Sequence, residues 1–362
     1  MQIRPILEAE TELTDRSHAP ESVVLSTRVR LARNIDETPF PSRANKSQRR
    51  EILARCQDAI AGLKMMQKGS VLEMQNLSDP EKQVLVERHL ISRELSNDKG
   101  ESGVIVSRDQ SCAIMINEED HLRIQVLRAG YNFKGAWKVI DRIDTGLEDK
   151  LDFAFSPEWG FLTACPTNLG TALRASVMLH LPGLVMASQM EKVVRAVNQM
   201  GIAVRGLYGE GTDASGSIFQ ISNQQTLGES EQDIIKRLTG VLDTVIEQEQ
   251  NARQKLLENA APKVLDKIGR AFGALQNGHL LSSAEAMNLL SLIRLGVDFG
   301  LLPENERRSV DKFFMTTQPG HIQIISQGDL ENSDQRDVER ARVLREHFRG
   351  LAPLDFDTLE KT

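Results

Sequence analysis

The apolar pattern of this chain changes character once, near residue 228, and no other feature constrains the fold as strongly. From about 21 to 225, short apolar runs alternate with Gly, Pro and Asn: GVIVS at 103–107, AIMI at 113–116, LRIQVL at 122–127 and SIFQIS at 217–222. The third alternates apolar and polar residues, as a strand with one buried face does. Helices are expected among these strands at 48–63, 80–92, 132–147, 171–180 and 187–200, so the class is α+β. Beyond 228 the strand signals nearly vanish. Ser230 stands three before Asp233, and Ile234, Leu238, Val241, Leu242 and Val245 then recur at helical spacing. Ser282 and Glu285 form a capping-box pair ahead of Met287, Leu289, Leu290 and Ile293, and a charged segment covers 334–349. This half reads as an α-helical bundle, a unit able to dimerise. The expected division is a flexible N-terminus at 1–20, a catalytic domain at 21–250 and a helical C-terminal domain at 251–362.

Charge and cysteine content narrow the function. Forty-four Lys and Arg against 51 Asp and Glu leave a net charge of −7, the wrong sign for a general nucleic-acid or anionic-membrane binder. No apolar run is long enough to span a bilayer, and the polar, acidic start of the chain does not read as a signal peptide. Cys56, Cys112 and Cys165 contain no C-x-x-C pair, so neither a disulfide framework nor a Cys-rich zinc site is expected; a reducing cytoplasm is. No residue is assigned to a metal. The P-loop pattern is absent, as are H-E-x-x-H and G-x-S-x-G. Asp298-Phe-Gly300 matches a protein-kinase triplet without its companion motifs and reads as a helix capped by Gly300. Gly209-Glu-Gly211 is half of a dinucleotide fingerprint and lacks the third glycine.

Four clusters carry chemistry. In Ser26-Thr27-Arg28-Val29-Arg30, a strand would place Arg28 and Arg30 on one face, where two guanidinium forks suit an intervening phosphate. Asn117-Glu-Glu119-Asp120-His121-Leu-Arg123 sets acids beside a cation. Cys165-Pro-Thr-Asn168-Leu-Gly170-Thr171 runs toward Arg174; read as a helix start, it would favour an anion and a thiolate. Arg205-Gly-Leu-Tyr-Gly-Glu210-Gly-Thr-Asp213 is a glycine-rich loop with the composition of a closing lid. Singly, each also reads as ordinary surface, turn or buried cysteine. Together, Arg28, Arg30, Arg123, Arg174 and Arg205 would form a phosphate cradle without a Walker lysine. Glu119, Glu210 and Cys165 would then face a cationic nucleophile.

In this order, S-T-R-V-R, N-E-E-D-H-L-R, C-P-T-N-L-G-T and R-G-x-x-G-E resemble the phosphagen (guanidino) kinase family, and within it the bacterial McsB-type protein-arginine kinases. The resemblance covers about 21–225 and extends into the helical region. It implies an antiparallel β-sheet flanked by helices and ATP with Mg²⁺. The implied nucleotide-binding segments are Ser26 to Arg30, Arg174-Ala175-Ser176-Val177-Met178 and Arg205-Gly206-Leu207-Tyr208-Gly209-Glu210, with Arg123 and His89. Glu119 falls on the acid that orients the guanidinium, and Cys165 on the cysteine that contacts it. Glu210 is favoured as the second catalytic carboxylate, with Asp213 in reserve. At Tyr208 the small-molecule enzymes carry another arginine.

Two features favour a protein acceptor over free arginine. Only 25 residues precede Ser26, where small-guanidino kinases carry a helical domain that closes over the substrate. Arg336-Asp337-Val-Glu-Arg340-Ala341 resembles the R-D-x-x-R-A motif associated in McsB-type kinases with a separate phosphoarginine site. On a helix Arg336 and Arg340 share a face. The leading reading is phosphorylation of protein arginine. The alternatives are a small-guanidino kinase or a non-catalytic phosphoarginine-binding adaptor. By resemblance the partners are proteins with exposed arginine, phosphoarginine as allosteric ligand, a zinc-binding activator, a Clp-type ATPase in a stress-response setting, and further copies of the chain.

Overall fold

A computed structural model of the chain describes residues 2–13, 23–206, 214–326 and 330–356. Its strands are β1 (Val24–Arg33), β2 (Ser70–Glu73), β3 (Gly103–Val106), β4 (Cys112–Ile116), β5 (Leu122–Ala129), β6 (Phe155–Ser156), β7 (Gly160–Phe161), β8 (Leu173–His180), β9 (Ile202–Gly206) and β10 (Ile218–Asn223). Its α-helices are α1 (Arg4–Glu8), α2 (Lys46–Ala61), α3 (Asp79–Glu87), α4 (Arg93–Asn97), α5 (Phe133–Glu148), α6 (Pro182–Met186), α7 (Met190–Gln199), α8 (Glu231–Asn277), α9 (Ser283–Asp298), α10 (Glu306–Thr316), α11 (Pro319–Ile325) and α12 (Ser333–Phe348). Eight strands make one antiparallel sheet in the order β2-β3-β4-β5-β1-β8-β10-β9; β6 and β7 form a separate hairpin.

The two faces of the sheet follow from alternation along β1. Val29 and Leu31 point to a face covered by α2, α5, α7 and the first half of α8, where Ile52, Ile140, Val193 and Leu238 are buried against them. Arg28 and Arg30 point to the other. Register carries that second face across the sheet: Arg30 lies opposite Gln125 and Arg174, Ala32 opposite Arg123, and Gln220 opposite Arg205. One side is therefore hydrophobic core and the other is rich in arginine.

The stretch 171–180, expected to be helical, is the central strand β8. Leu, Ala, Met and Arg favour helices in isolation. Here Leu173, Ala175, Val177 and Leu179 alternate with Arg174, Ser176 and Met178, and the segment is hydrogen-bonded on both sides, to β1 and β10. Tertiary pairing overrides propensity. The expected helix at 80–92 ends early at Glu87, because His89 adopts a left-handed backbone with φ 58° and the Leu90 N–H turns back to Leu85 O. The first residues, expected to be mobile, pack in part: Ile3 and Ile6 are buried with Val84 and Leu85.

Helix α8 runs straight through residue 250. It breaks in φ and ψ at Ala260, two residues before Pro262, which lacks the N–H and crowds the preceding turn. Residues before the kink pack on the sheet; Ala271, Phe272 and Leu275 beyond it join α9, α10 and α12 in a second core. Among the described residues no helix is long and apolar enough to cross a membrane. Gly300 has φ 76° and the Leu301 N–H bonds Gly296 O, so the Asp298-Phe-Gly300 triplet is a helix end. Asp298 is buried there between Arg253 at 2.6 Å, Arg307 at 2.7 Å and Arg294 at 3.7 Å, joining α8, α9 and α10. Removing its charge would take one acid partner from each cation, leaving Arg253 with Glu249, Arg294 with Asp311 and Arg307 with Glu304. Asp298→Asn is expected to lower unfolding free energy by about 1–3 kcal/mol in denaturant titration, whereas neutralising Asp266 of the exposed Arg270–Asp266 pair should leave the unfolding midpoint essentially unchanged.

Candidate active site

A cavity of about 1120 Å³ lies over the arginine face. Arg28, Arg30, Arg123, Arg174 and Arg205 line it, with His89, Gln220 and Gly206; Glu119, Cys165, Thr167 and Asn168 stand around the same space. The five arginines, Glu119 and Cys165 singled out in the four sequence clusters thus border one cavity. Leu207, Tyr208, Gly209, Glu210 and Asp213 lie outside the described residues.

The cations are held close with little compensation. Arg28 Nη2 donates to Gln220 Oε1 at 2.8 Å, and Arg174 Nη2 reaches Ser222 Oγ at 3.4 Å, while the buried Arg174 Nε has no hydrogen-bond partner. Burial first, then repulsion from Arg174 and Arg123, brings the Arg28 guanidinium down to about 10. Burial and the charges of Arg28, Arg123 and Arg174 push Arg30 further below its ordinary value. Arg174 is lowered by burial, Arg205 and Arg123. His89, buried beside Arg28, is pushed down to about 4 and is neutral at physiological pH. Desolvation is the first cause of each shift and neighbouring arginine charge the second; an anionic ligand would relieve the second.

Most of the Asn117–Arg123 cluster is architecture. Asn117 holds a left-handed backbone and donates to Arg49 O and Glu101 O at 2.7 and 2.8 Å. Asp120 Oδ1 accepts from Asn34 Nδ2 and the Ala164 N–H, both at 2.7 Å, tying this turn to the segment before Cys165. The His121 ring accepts the Ile35 N–H at Nδ1, so its Nε2 carries the proton donated to Pro39 O. Glu118, with its side chain 2% exposed, pairs with Arg123 and accepts from Ser92 Oγ. Glu119 is left facing the cavity at 43% exposure, 3.6 Å from Arg123. Burial, then the charges of Asp120, Glu118 and Glu94, hold its carboxyl above the ordinary glutamate range against the pull of Arg123.

Cys165 precedes a three-residue 3₁₀ turn, Pro166–Asn168, rather than a helix, with its Sγ 3.0 Å from Thr167 Oγ1. The helix-dipole case for a thiolate there therefore loses its helix. The loop is pinned at Gly170, φ 100°, where an added Cβ would lie 2.2 Å from Thr226 O. Several residues of the expected nucleotide segments do not reach the cavity. Thr27, Val29, Ala175 and Val177 point to the helix-packed face because strand side chains alternate; Thr27 Oγ1 bonds Gly130 O there. Ser26 and Ser176 are buried in the sheet, and Met178 packs toward the helical core. The sequence reading missed the wall made by Ser92, Arg93, Glu94, Asn97 and Asp98 on and around α4, which shows no motif of its own.

The 336–341 cluster lies on α12. Arg340 is buried, with Nε donating to Thr317 O at 2.7 Å, Nη1 to Leu281 O at 2.8 Å, and an ion pair to Asp337. Ala341 is part of the helical core, and Arg336 is the half-exposed member.

The family model for the C-terminal catalytic domain of ATP:guanido phosphotransferases matches residues 51–252, and that for the C-terminal domain of the protein-arginine kinase McsB matches 261–359. A curated protein-arginine kinase from Brevibacillus brevis is 44% identical over 337 residues, 92% of this chain and 94% of its own. One from Moorella thermoacetica is 43% identical over 347 residues, 95% and 99% of the two chains. A solved lombricine kinase superposes with TM-score 0.57 at 25% identity, over 67% of this chain and 71% of its own. The duplicated taurocyamine kinase of Schistosoma mansoni with bound transition-state-analogue components does so with TM-score 0.59 at 26% identity, over 73% of this chain and 38% of its own.

The acidic surroundings of Glu119 have a measurable effect. Glu94→Gln removes a like charge that favours the protonated form, so the Glu119 carboxyl should titrate at lower pH than in the wild type. Carboxyl-carbon NMR titration checks this; an unmoved or raised midpoint would contradict the assigned cause.

Proposed function

The chain belongs to the protein-arginine kinases, ATP:guanido phosphotransferases with a McsB-type C-terminal domain, and as the site of its phosphoryl transfer from ATP to arginine side chains of proteins we propose the cavity over the arginine face. One observation carries this reading: five arginines from β1, β5, β8 and β9 converge on the same space as Glu119 and Cys165. In it, Arg28, Arg30, Arg123, Arg174 and Arg205 hold the phosphates. Phosphoryl transfer depends mainly on positioning and charge neutralisation, and both come from guanidinium forks held on paired strands. His89 is a neutral partner beside Arg28 on the nucleotide side.

The acceptor sits opposite, its guanidinium against Glu119 and Cys165. A guanidinium has a pKa above about 12, so it arrives protonated and has no free lone pair. In the step, the N–Pγ bond forms, the Pγ–O bond to ADP breaks, and one guanidinium proton passes to a carboxylate. Glu119, raised above the ordinary glutamate range, is the better proton acceptor for that shift. Orientation contributes as well, with effective-molarity gains of up to about 7–11 kcal/mol in well-aligned systems. Glu210 is the second carboxylate in this scheme, with Asp213 held in reserve.

Among the described residues no group of three His, Cys, Asp or Glu side chains could hold a metal ion. Mg²⁺ in this scheme would arrive with ATP and, when bound, would neutralise phosphate charge. The half-exposed Arg336, next to the Arg340–Asp337 pair, is the proposed phosphoarginine contact on α12. The unpaired Cys56, Cys112 and Cys165 support a cytoplasmic setting.

Two substitutions separate the two sides of the cavity. Glu119→Ala should slow transfer of labelled phosphate to protein arginine by about 10²- to 10⁴-fold while ATP affinity stays near wild type. Arg174→Ala should weaken ATP binding by about 10- to 100-fold, from the ~1.5–3 kcal/mol of a hydrogen bond to a charged group. Loss of ATP binding in the Glu119 variant would count against its assigned role.

A further inference from the structure

The segment that brings His89 to the cavity is gripped from behind by the C-terminal helical region. Helix α3 ends at Glu87, and Glu87, Arg88 and His321 are each at most 5% exposed. Oε1 of Glu87 accepts the Gly320 N–H at 2.7 Å; Oε2 accepts the His321 N–H at 3.0 Å and His321 Nδ1 at 2.7 Å. Gly320 and His321 are in the first turn of α11, so this carboxylate satisfies the free N–H groups of a helix more than 200 residues away in sequence. Arg88 Nε donates to His321 Nε2 at 3.1 Å, which leaves the ring proton on Nδ1 and makes every polar contact of the imidazole directional. The Arg88 Nη1 group continues to Ile6 O at 2.6 Å and Gln110 Oε1 at 2.9 Å.

His89 follows directly, in a left-handed conformation that costs a non-glycine residue energy unless its surroundings impose it. From the front, Gln125 Nε2 donates to His89 O at 2.7 Å and Leu90 O at 3.0 Å, and Gln125 stands opposite Arg30 on β1. The turn is thus fixed by two groups: Gln125 on the arginine face and the Glu87–His321 pair behind. Apolar packing would hold α11 against α3 without burying an acid and an arginine, but it would leave the turn free to rotate. We propose that Glu87 and His321 are positioning residues for the nucleotide side of the cavity, through which the C-terminal region sets the place of His89 beside Arg28.

This inference rests on the reading of that side as the ATP side, and calorimetric ATP binding to the full chain tests the two separately. His321→Ala should weaken ATP binding and raise the KM for ATP on the order of 10-fold, leave the KM for an arginine-bearing protein acceptor within about twofold, and His321→Asn, whose amide N–H stands where Nδ1–H did, should recover most of the loss. A merely structural role would move both KM values together. Wild-type ATP affinity in a folded His321→Ala protein overturns the proposal, as does an Asn variant as weak as Ala. Should the alanine variant not fold, Glu87→Gln decides: it keeps one acceptor but opposes an amide N–H to the His321 donors, so it should show the same selective loss, and unchanged affinity refutes the idea. If the wild type binds ATP and Arg28→Ala abolishes binding while His321→Ala does not alter it, only this inference falls. If the wild type binds no ATP, the cavity reading falls with it.

Discussion

Mutual repulsion among half-buried arginines on one face of the sheet is the constraint on which the rest of the structure depends. Arg28, Arg30 and Arg174 sit on adjacent strands, Arg30 directly opposite Arg174, and each guanidinium is held below its ordinary value first by desolvation and then by its arginine neighbours. The opposite face carries the main apolar core, to which the four helices α2, α5, α7 and α8 contribute. Stored repulsion in the absence of ligand is what makes the face a strong receptor for a polyanion, since no rearrangement is needed to present its charge.

Acid meets this wall at one edge only among the described arginines, where the turn after β4 sets Glu118 and Glu119 against Arg123. Of three consecutive carboxylates, Asp120 binds a backbone N–H and an asparagine, Glu118 borders the cavity paired with Arg123, and Glu119 is the more exposed of the two at its rim. Asp120 also ties this turn to the loop of Cys165, so the two groups proposed to meet a guanidinium are positioned by one buried side chain. In the proposed reading the acceptor side is small and anionic and the donor side broad and cationic, within a single cavity.

The helical region is joined to the catalytic sheet by buried charge as well as by oil-like contact. Arg253, Arg294, Arg307 and Asp298 link the end of β8 to α8, α9 and α10, with Arg253 donating to His180 O at 3.0 Å. The Glu87–His321 pair makes a second joint on the far side of the cavity. Directional joints of this kind transmit position where apolar surfaces can slide.

Composition and spacing alone determined the class and the change to helices after residue 228, and they marked the arginine-bearing clusters, because period-two and period-3.6 patterns and paired guanidinium groups are local properties. Local patterns also misled: Leu173 to His180 has helix-forming residues, and only its place between β1 and β10 made it a strand. The same pairing decided that Val29 and Val177 serve the core while their neighbours Arg28 and Ser176 face the other way. No spacing rule could have singled out Glu119 over Glu118, joined Glu87 to His321, or revealed the wall around α4. Those depend on which groups lie within hydrogen-bond reach after the chain has closed, and distance in space is settled by packing of the whole sheet and its helices rather than by any neighbourhood in the sequence.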